Sequence, residues 1–245
     1  MKQIYMSGHD GNGTEYSSLD QVWEGQEAWY NKAMEYWSNQ DASINGVLGG
    51  FGDLHPTDLA GSELFLNQVS QQYSAIPSDG IGADCGAGVG RITQFLLSKK
   101  LARVDLIEPC TKLLDQARID LPKSMPASAI GEFVNQPLQE WSPPAASYDL
   151  LWHQWVLLYL TDADCVAYLS RCRRALKAGG VICVKENVAL KGQFLVDRDD
   201  NSVTRTLEQY KSLFASAGLK IVCQVRQGRW PAHLFPVLMW ALAPI

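Results

Sequence analysis

The sequence predicts an α/β fold: a seven-stranded, mostly parallel sheet with one antiparallel strand, preceded by an N-terminal helical extension. Three observations carry this. Apolar strand-like runs alternate with helical-period runs from residue 81 onward. The run IGADCGAGVGR, 81–91, reads as a buried strand, a glycine turn and the start of a helix. Near the end two strand-like runs, 219–227 and 235–242, follow one another with no helix between them, which makes one antiparallel.

Taken in order, residues 1–18 are rich in Gly, Ser and polar groups and predict a poorly ordered, flexible leader. Residues 19–75 predict helices and a substrate-side loop, and 76–245 the ligand-binding domain, the two forming one structural unit. Val22, Trp23, Gln26, Trp29, Tyr30, Ala33, Met34 and Trp37 recur at helical spacing over 19–37. The stretch SNQDASINGVLGGFGDLHP, 38–56, reads as a long loop. Its apolar Val47, Leu48 and Phe51 suit either a lid or a core-anchored connection. Thr57 or Asp58 then caps a helix to 73.

The strand at 81–85 is followed by a helix at 91–100 and a strand at 103–108. Thr111 caps a helix to 121, which Pro122 and Pro126 break before a strand at 129–134. The run YDLLWHQW, 148–155, is apolar almost throughout, as a strand buried on both faces should be. A helix from Thr161 or Asp162 to 177 ends at Ala178-Gly179-Gly180 and leads to a strand at 181–187. A polar, acidic loop at 191–201 precedes a helix over 203–217, closed by Gly218.

The 245 residues allow one domain with an extension, and 47% hydrophobic with 19% charged residues is ordinary for a globular chain. A net charge of −5 argues against a nucleic-acid backbone as partner and suits a cationic peptide or amine. The six cysteines are scattered without a C-x-x-C pair, and the four histidines have no metal-ligand spacing, so no metal is expected. Scattered thiols predict a reducing compartment, cytoplasmic or nuclear. The first residues lack an apolar signal core, and no apolar run is long enough for a bilayer, so no membrane partner is expected. Nothing marks an obligate partner, and a monomer is the expectation.

The glycine turn narrows the ligand. A dinucleotide fingerprint counted from Gly86 would need its third glycine where Arg91 stands, and no Gly-Lys-Ser/Thr follows for a phosphate loop. The remaining pattern, D-x-G-x-G-x-G, resembles the first motif of the class I, Rossmann-like methyltransferases that use S-adenosylmethionine (AdoMet). Glu108 ends the next strand about 20 residues on, where an acid can accept from both ribose hydroxyls. Arg91 places a positive charge at a helix start, which is unfavourable without an anion nearby. Its fork suits a carboxylate.

Several separate blocks are more specific: Tyr36-Trp37, Gly46-x-Leu48-Gly49-Gly50-Phe51-Gly52, DCGAGVGRIT, Leu138-Gln139, Gln154-Trp155-Val156 with Leu160-Thr161-Asp162, Lys185-Glu186-Asn187, and Ser202-Val203-x-Arg205. Together, over about residues 27–245, the chain resembles the α-N-terminal protein methyltransferases, which methylate the free amine of proteins beginning X-Pro-Lys. The resemblance implies AdoMet as cofactor, held by Gly86, Gly88, Arg91, Glu108, Pro109, Cys110, Leu138, Gln139, Gln154 and Trp37. It implies that Leu48, Gly49, Trp155, Asp197 and Asp200 meet the substrate, with Trp155 on the proline and the aspartates on the lysine. Asn187 and Asp200 would face the amine.

Two positions depart from the family pattern. Tyr159 stands where a histidine is common, which removes a neutral-pH base, and Glu108 replaces the usual aspartate. Tyr159 can still hydrogen-bond the amine and is kept in the catalytic set. A small-molecule methyltransferase and a non-catalytic AdoMet-binding regulator are the competing readings. The first would ignore peptides, and the second is disfavoured by the intact Gly86, Arg91, Glu108, Asn187 and Asp200.

Overall fold

A computed structural model describes residues 7–23, 25–190 and 192–245. In chain order the elements are β1 (Gly8–Asp10), β2 (Glu15–Tyr16), α1 (Gln26–Asn39), α2 (Ile44–Val47), α3 (His55–Gln72), β3 (Ile81–Cys85), α4 (Arg91–Phe95), β4 (Arg103–Ile107), α5 (Thr111–Ser124), β5 (Ile130–Val134), β6 (Tyr148–Gln154), α6 (Asp162–Ala175), β7 (Leu176–Asn187), β8 (Phe194–Asp197), β9 (Ser202–Thr204), α7 (Leu207–Ser216), β10 (Leu219–Arg226) and β11 (Val237–Pro244).

Seven strands form the main sheet in the order β10-β11-β7-β6-β3-β4-β5, and β11 alone runs against its neighbours. The α/β architecture is therefore the one the alternating runs predict. Strand order turns outward in both directions from the β3–β6 pair, so a crevice opens at the carboxyl ends of these two strands. Leu150, Leu151 and Trp152 of β6 are fully buried because the sheet is covered on both faces. One face packs on α6 and α7 through Tyr168, Leu169, Tyr210 and Phe214, and the other on α3 through Phe65 and Val69.

The helices start where their caps allow. Thr161 Oγ1 accepts from Asp164 N at 3.2 Å, and Arg173 and Arg174 sit in the last turn of α6, where positive charge is favourable. Thr206 and Gln209 form a reciprocal capping box for α7. That box explains why α7 begins at Leu207 rather than at 203.

Several element ends shift, with α5 running through Pro122 to Ser124 and β7 beginning at Leu176, and three whole stretches differ from the sequence reading. The 1–18 leader was expected to be poorly ordered, yet residues 7–18 include β1 and β2 (residues 1–6 lie outside the described residues). The Asp10 carboxylate organises the turn between them, accepting from Asn12 N at 3.0 Å, Thr14 N at 2.9 Å and Tyr16 Oη at 2.9 Å. Next, the 38–56 loop contains α2, capped by Ser43, and a 3-10 turn at Gly52–Leu54. Finally, residues 194–204 form a β-hairpin where an irregular loop and the start of a helix are expected: β8 pairs with β9 and with β1, giving a small sheet in the order β2-β1-β8-β9. Tyr16, Leu19, Val22 and Trp29 close over Phe194, Val196 and Val203.

Gly8 is required by close approach. A Cβ there would collide with both the ring and the carbonyl oxygen of the fully buried Phe194. Gly8→Ala is expected to cost about 1–3 kcal/mol through overpacking. The check is a lowered urea midpoint in equilibrium unfolding.

Candidate active site

A cavity of about 880 Å³ occupies the crevice, with α1 and α2 on one side and the β8–β9 hairpin on another. Its glycine turn is shaped by backbone conformation. Gly86, Gly88 and Gly90 have φ of 79°, 55° and 76°, a region that side chains resist. A Cβ on Gly88 would approach Val47 Cγ1 to 3.3 Å, filling the gap between the turn and α2. Asp84 fixes the start of α4 by accepting from Thr93 N at 2.9 Å and Thr93 Oγ1 at 2.8 Å.

Glu108 follows β4. Its Oε2 accepts from Gly88 N at 2.9 Å and its Oε1 from Cys110 N at 2.8 Å. Burial pushes its carboxyl up to about 7. Each oxygen keeps a lone pair for a further donor. Pro109 lines the cavity. Cys110 departs from its expected place: its thiol is turned into the cluster with Val89 and Leu113, and only its N–H serves the site. Leu138 and Gln139 line the cavity, and Arg171 Nη2 holds their carbonyls at 3.0 and 2.8 Å.

The anion that Arg91 requires comes from α3. Arg91 Nη1 meets Asp58 Oδ2 at 2.6 Å. Asp58 is fully buried, and its Oδ1 also accepts from Gln154 Nε2 at 2.8 Å and pairs with Lys185 Nζ at 2.5 Å. Burial alone would raise the Asp58 pKa, but Lys185 and Arg91 outweigh it and hold the carboxyl below its usual range. The sequence reading offered Asp58 only as a helix cap. Its actual partners lie far along the chain, and Pro56 and His55 open the helix instead.

Trp155 follows β6 with φ of 52°, a strained conformation for a bulky residue. Glu186 holds the turn that follows: its Oε1 accepts from Val156 N at 2.9 Å and Leu157 N at 2.8 Å. Its Oε2 and the Trp155 Nε1 are buried without a hydrogen-bond partner. Burial pushes Glu186 up to about 8. Trp230 faces Trp155 with ring centroids 6.1 Å apart, and its Nε1 donates to Phe235 O at 3.1 Å. The sequence reading missed Trp230, which lies in a short irregular segment with no periodicity to mark it.

At the hairpin side, Tyr159 Oη donates to Asp200 Oδ2 at 2.9 Å. Asp200 Oδ1 is buried and makes no close hydrogen bond, with the Ser202 hydroxyl and N–H beside the carboxylate. Burial raises the Asp200 carboxyl and drives the Tyr159 phenol far above its ordinary value, so Tyr159 keeps its proton. Trp37 packs edge-on to Tyr159 with centroids 6.1 Å apart. Asn187 lines the same cavity. Asp197 is an exposed rim residue whose Oδ1 accepts from Asp199 N at 2.8 Å. Leu48 is buried, whereas Gly49 and Gly50 turn with φ of 59° and 87° and leave Phe51 49% exposed beside the opening.

A phosphate needs free N–H groups, and this turn does not offer them. Gly86 N and Ala87 N donate to Ile107 O at 2.8 and 3.1 Å, and Gly88 N serves Glu108. The turn provides bare backbone and space beside a carboxylate, which suits an adenosine without phosphate. The fold and this turn define an AdoMet-dependent methyltransferase. A family model described as "AdoMet dependent proline di-methyltransferase" matches residues 25–243, and the chain belongs to that family. It is 42% identical over 220 residues to the "Alpha N-terminal protein methyltransferase 1" of Schizosaccharomyces pombe, covering 89% of this chain and 97% of the relative. It is 34% identical to the "N-terminal Xaa-Pro-Lys N-methyltransferase 1-B" of Xenopus laevis, covering 89% and 97%. A solved SAM-dependent methyltransferase from Leishmania major superposes with a TM-score of 0.88 at 38% identity, covering 98% and 97%. Among the described residues, no helix is long and apolar enough to cross a membrane.

Glu186 gives the site a measurable pH signature. An unfolded glutamate releases its proton near pH ~4.3, whereas the folded one holds it up to about 8. Its contribution to stability is therefore full below the unfolded value and is lost as pH rises through about 8. Glu186→Gln is expected to flatten the decline in melting temperature between pH 5 and 9, measured by thermal unfolding of both proteins.

Proposed function

We propose that this protein transfers methyl groups from AdoMet to the free α-amine of polypeptides beginning Xaa-Pro-Lys. The observation that carries this is the half-buried Tyr159–Asp200 pair in the same cavity as the glycine turn and Trp155. The printed name of the Xenopus laevis relative supports the Xaa-Pro-Lys substrate class. The buried, unpaired cysteines suit a cytosolic or nuclear setting.

AdoMet supplies an electrophilic methyl carbon, which the amine lone pair takes as the carbon–sulfur bond breaks. Gly86 and Gly88 give it room, and Glu108 accepts from the ribose through its remaining lone pairs. Arg91 has N–H groups beyond the one held by Asp58, and these would hold the methionine carboxylate. Gln154, with Leu138, Gln139, Pro109 and Trp37, completes that end.

The amine must arrive neutral. A chain-terminal amine titrates at about 7.7–8.0, so roughly a tenth is neutral at pH 7, far more than of a lysine. Asp200 takes the remaining proton. Its Oδ2 is held by Tyr159, and its Oδ1 makes no close hydrogen bond, although the Ser202 hydroxyl and N–H lie beside the carboxylate. Burial raises its proton affinity above that of an exposed aspartate. Asn187 orients the amine, Trp155 packs on the proline ring and Asp197 receives the lysine. Leu48 and Gly49 close the cavity, so water is excluded and positioning supplies much of the rate.

Asp200→Asn is expected to retain AdoMet binding and lose about 10²–10⁴-fold in kcat. The check is mass-spectrometric methyl incorporation into an Ala-Pro-Lys peptide, with the N-acetylated peptide giving none. Glu108→Ala is expected to weaken AdoMet binding about ten- to a hundredfold, since a hydrogen bond to a charged group contributes about 1.5–3 kcal/mol. Isothermal titration calorimetry measures this directly.

A further inference from the structure

The cavity lining continues past the acidic hairpin onto Gly11 and Asn12, in the turn between β1 and β2. Both residues are exposed, so they lie at the mouth. They precede residue 25, where the family match begins. β1 runs parallel to β8 with Asp10 opposite Val196. Two parallel strands that end level place their following turns side by side: 11–13 beside 197–201.

This turn is built rather than frayed. Asp10 is 4% exposed and accepts from Asn12 N, Thr14 N and Tyr16 Oη. Arg198 of the neighbouring turn donates to Tyr16 Oη at 2.8 Å and lies 3.9 Å from Asp10, joining the two turns. A Cβ on Gly11 would meet nothing within 4 Å, so the turn is open on that side.

We propose that the Gly11–Asn12 turn, next to the acidic 197–200 turn that receives the first three residues, is an outer subsite for the main chain of the substrate polypeptide beyond its third residue. This rests on the methyl-transfer reading above. A chain whose amine sits at Asp200 leaves through this mouth at about 3.3–3.6 Å per residue. Its amide groups meet the open turn at Gly11 and the Asn12 side-chain amide, which both donates and accepts.

The test is steady-state kinetics of the full chain on peptides of three, five and eight residues beginning Ala-Pro-Lys. Wild-type kcat/KM should rise about tenfold from three to eight residues, through KM, the worth of one or two net hydrogen bonds. Asn12→Ala and Gly11→Val should each remove most of that gain and leave the tripeptide kinetics, the AdoMet affinity and the unfolding midpoint unchanged. Wild-type indifference to peptide length overturns the subsite, as does a length gain that both variants retain. A loss that is equal for all three peptides also overturns it. If no peptide of any length accepts a methyl group, the methyl-transfer reading fails and the subsite falls with it.

Discussion

Beneath the cavity, one buried carboxylate joins groups from four elements. Asp58 of α3 meets Arg91 of α4, Gln154 of β6 and Lys185 of β7. Lys185 also donates to Ser62 Oγ at 2.9 Å and Gln227 Oε1 at 2.8 Å, so none of its charge is left bare. Such a cluster adds little stability over an apolar core of equal volume, but removing one member strands the others. What it supplies is position. The guanidinium at the glycine turn and the amide at the end of β6 both point where Asp58 lets them. The N-terminal helices are therefore part of the site's foundation and not an appendage to the sheet.

The same constraint explains what could be read from the sequence. The glycine turn was legible because its requirement is local: three residues with φ near 55–79° and an acid at the end of the next strand. The sheet was legible because buried strands such as β6 are apolar along their whole length. Asp58 was not, since Lys185 lies 127 residues away in the chain. The hairpin at β8 and β9 was hidden by size. Only Phe194 and Val196 turn inward from β8, too few for an alternating pattern to stand out among Asp197, Asp199 and Asp200. Residues 7–18 were misjudged because composition counts glycines and serines, whereas order there comes from Asp10 and from apolar partners supplied by the hairpin.

Several groups are held in states they would not choose alone. Trp155 has a left-handed backbone, and Glu186 bonds the two N–H groups that follow it while remaining largely protonated near neutral pH. A buried carboxyl with an unpartnered oxygen is costly. Here it fixes the elbow that presents the Trp155 ring beside Trp230. A strained residue tolerated at a cavity wall is the pattern expected where a surface must be shaped before a ligand arrives.

A tyrosine at position 159 limits how a proton can be managed. An imidazole in that place could itself accept one, but a phenol so far above its normal pKa cannot. Tyr159 keeps its proton and donates it in a hydrogen bond to Asp200. A donor on one oxygen of a half-buried carboxylate fixes its orientation and leaves the other oxygen as the more basic site. Burial then raises that carboxylate's proton affinity in the direction an amine proton needs. The proposed base is thus an acid, and the tyrosine is the group that aims it. Because the amine of a chain terminus is already partly neutral, a carboxylate of modest basicity is sufficient, whereas a lysine side chain would demand a much stronger acceptor.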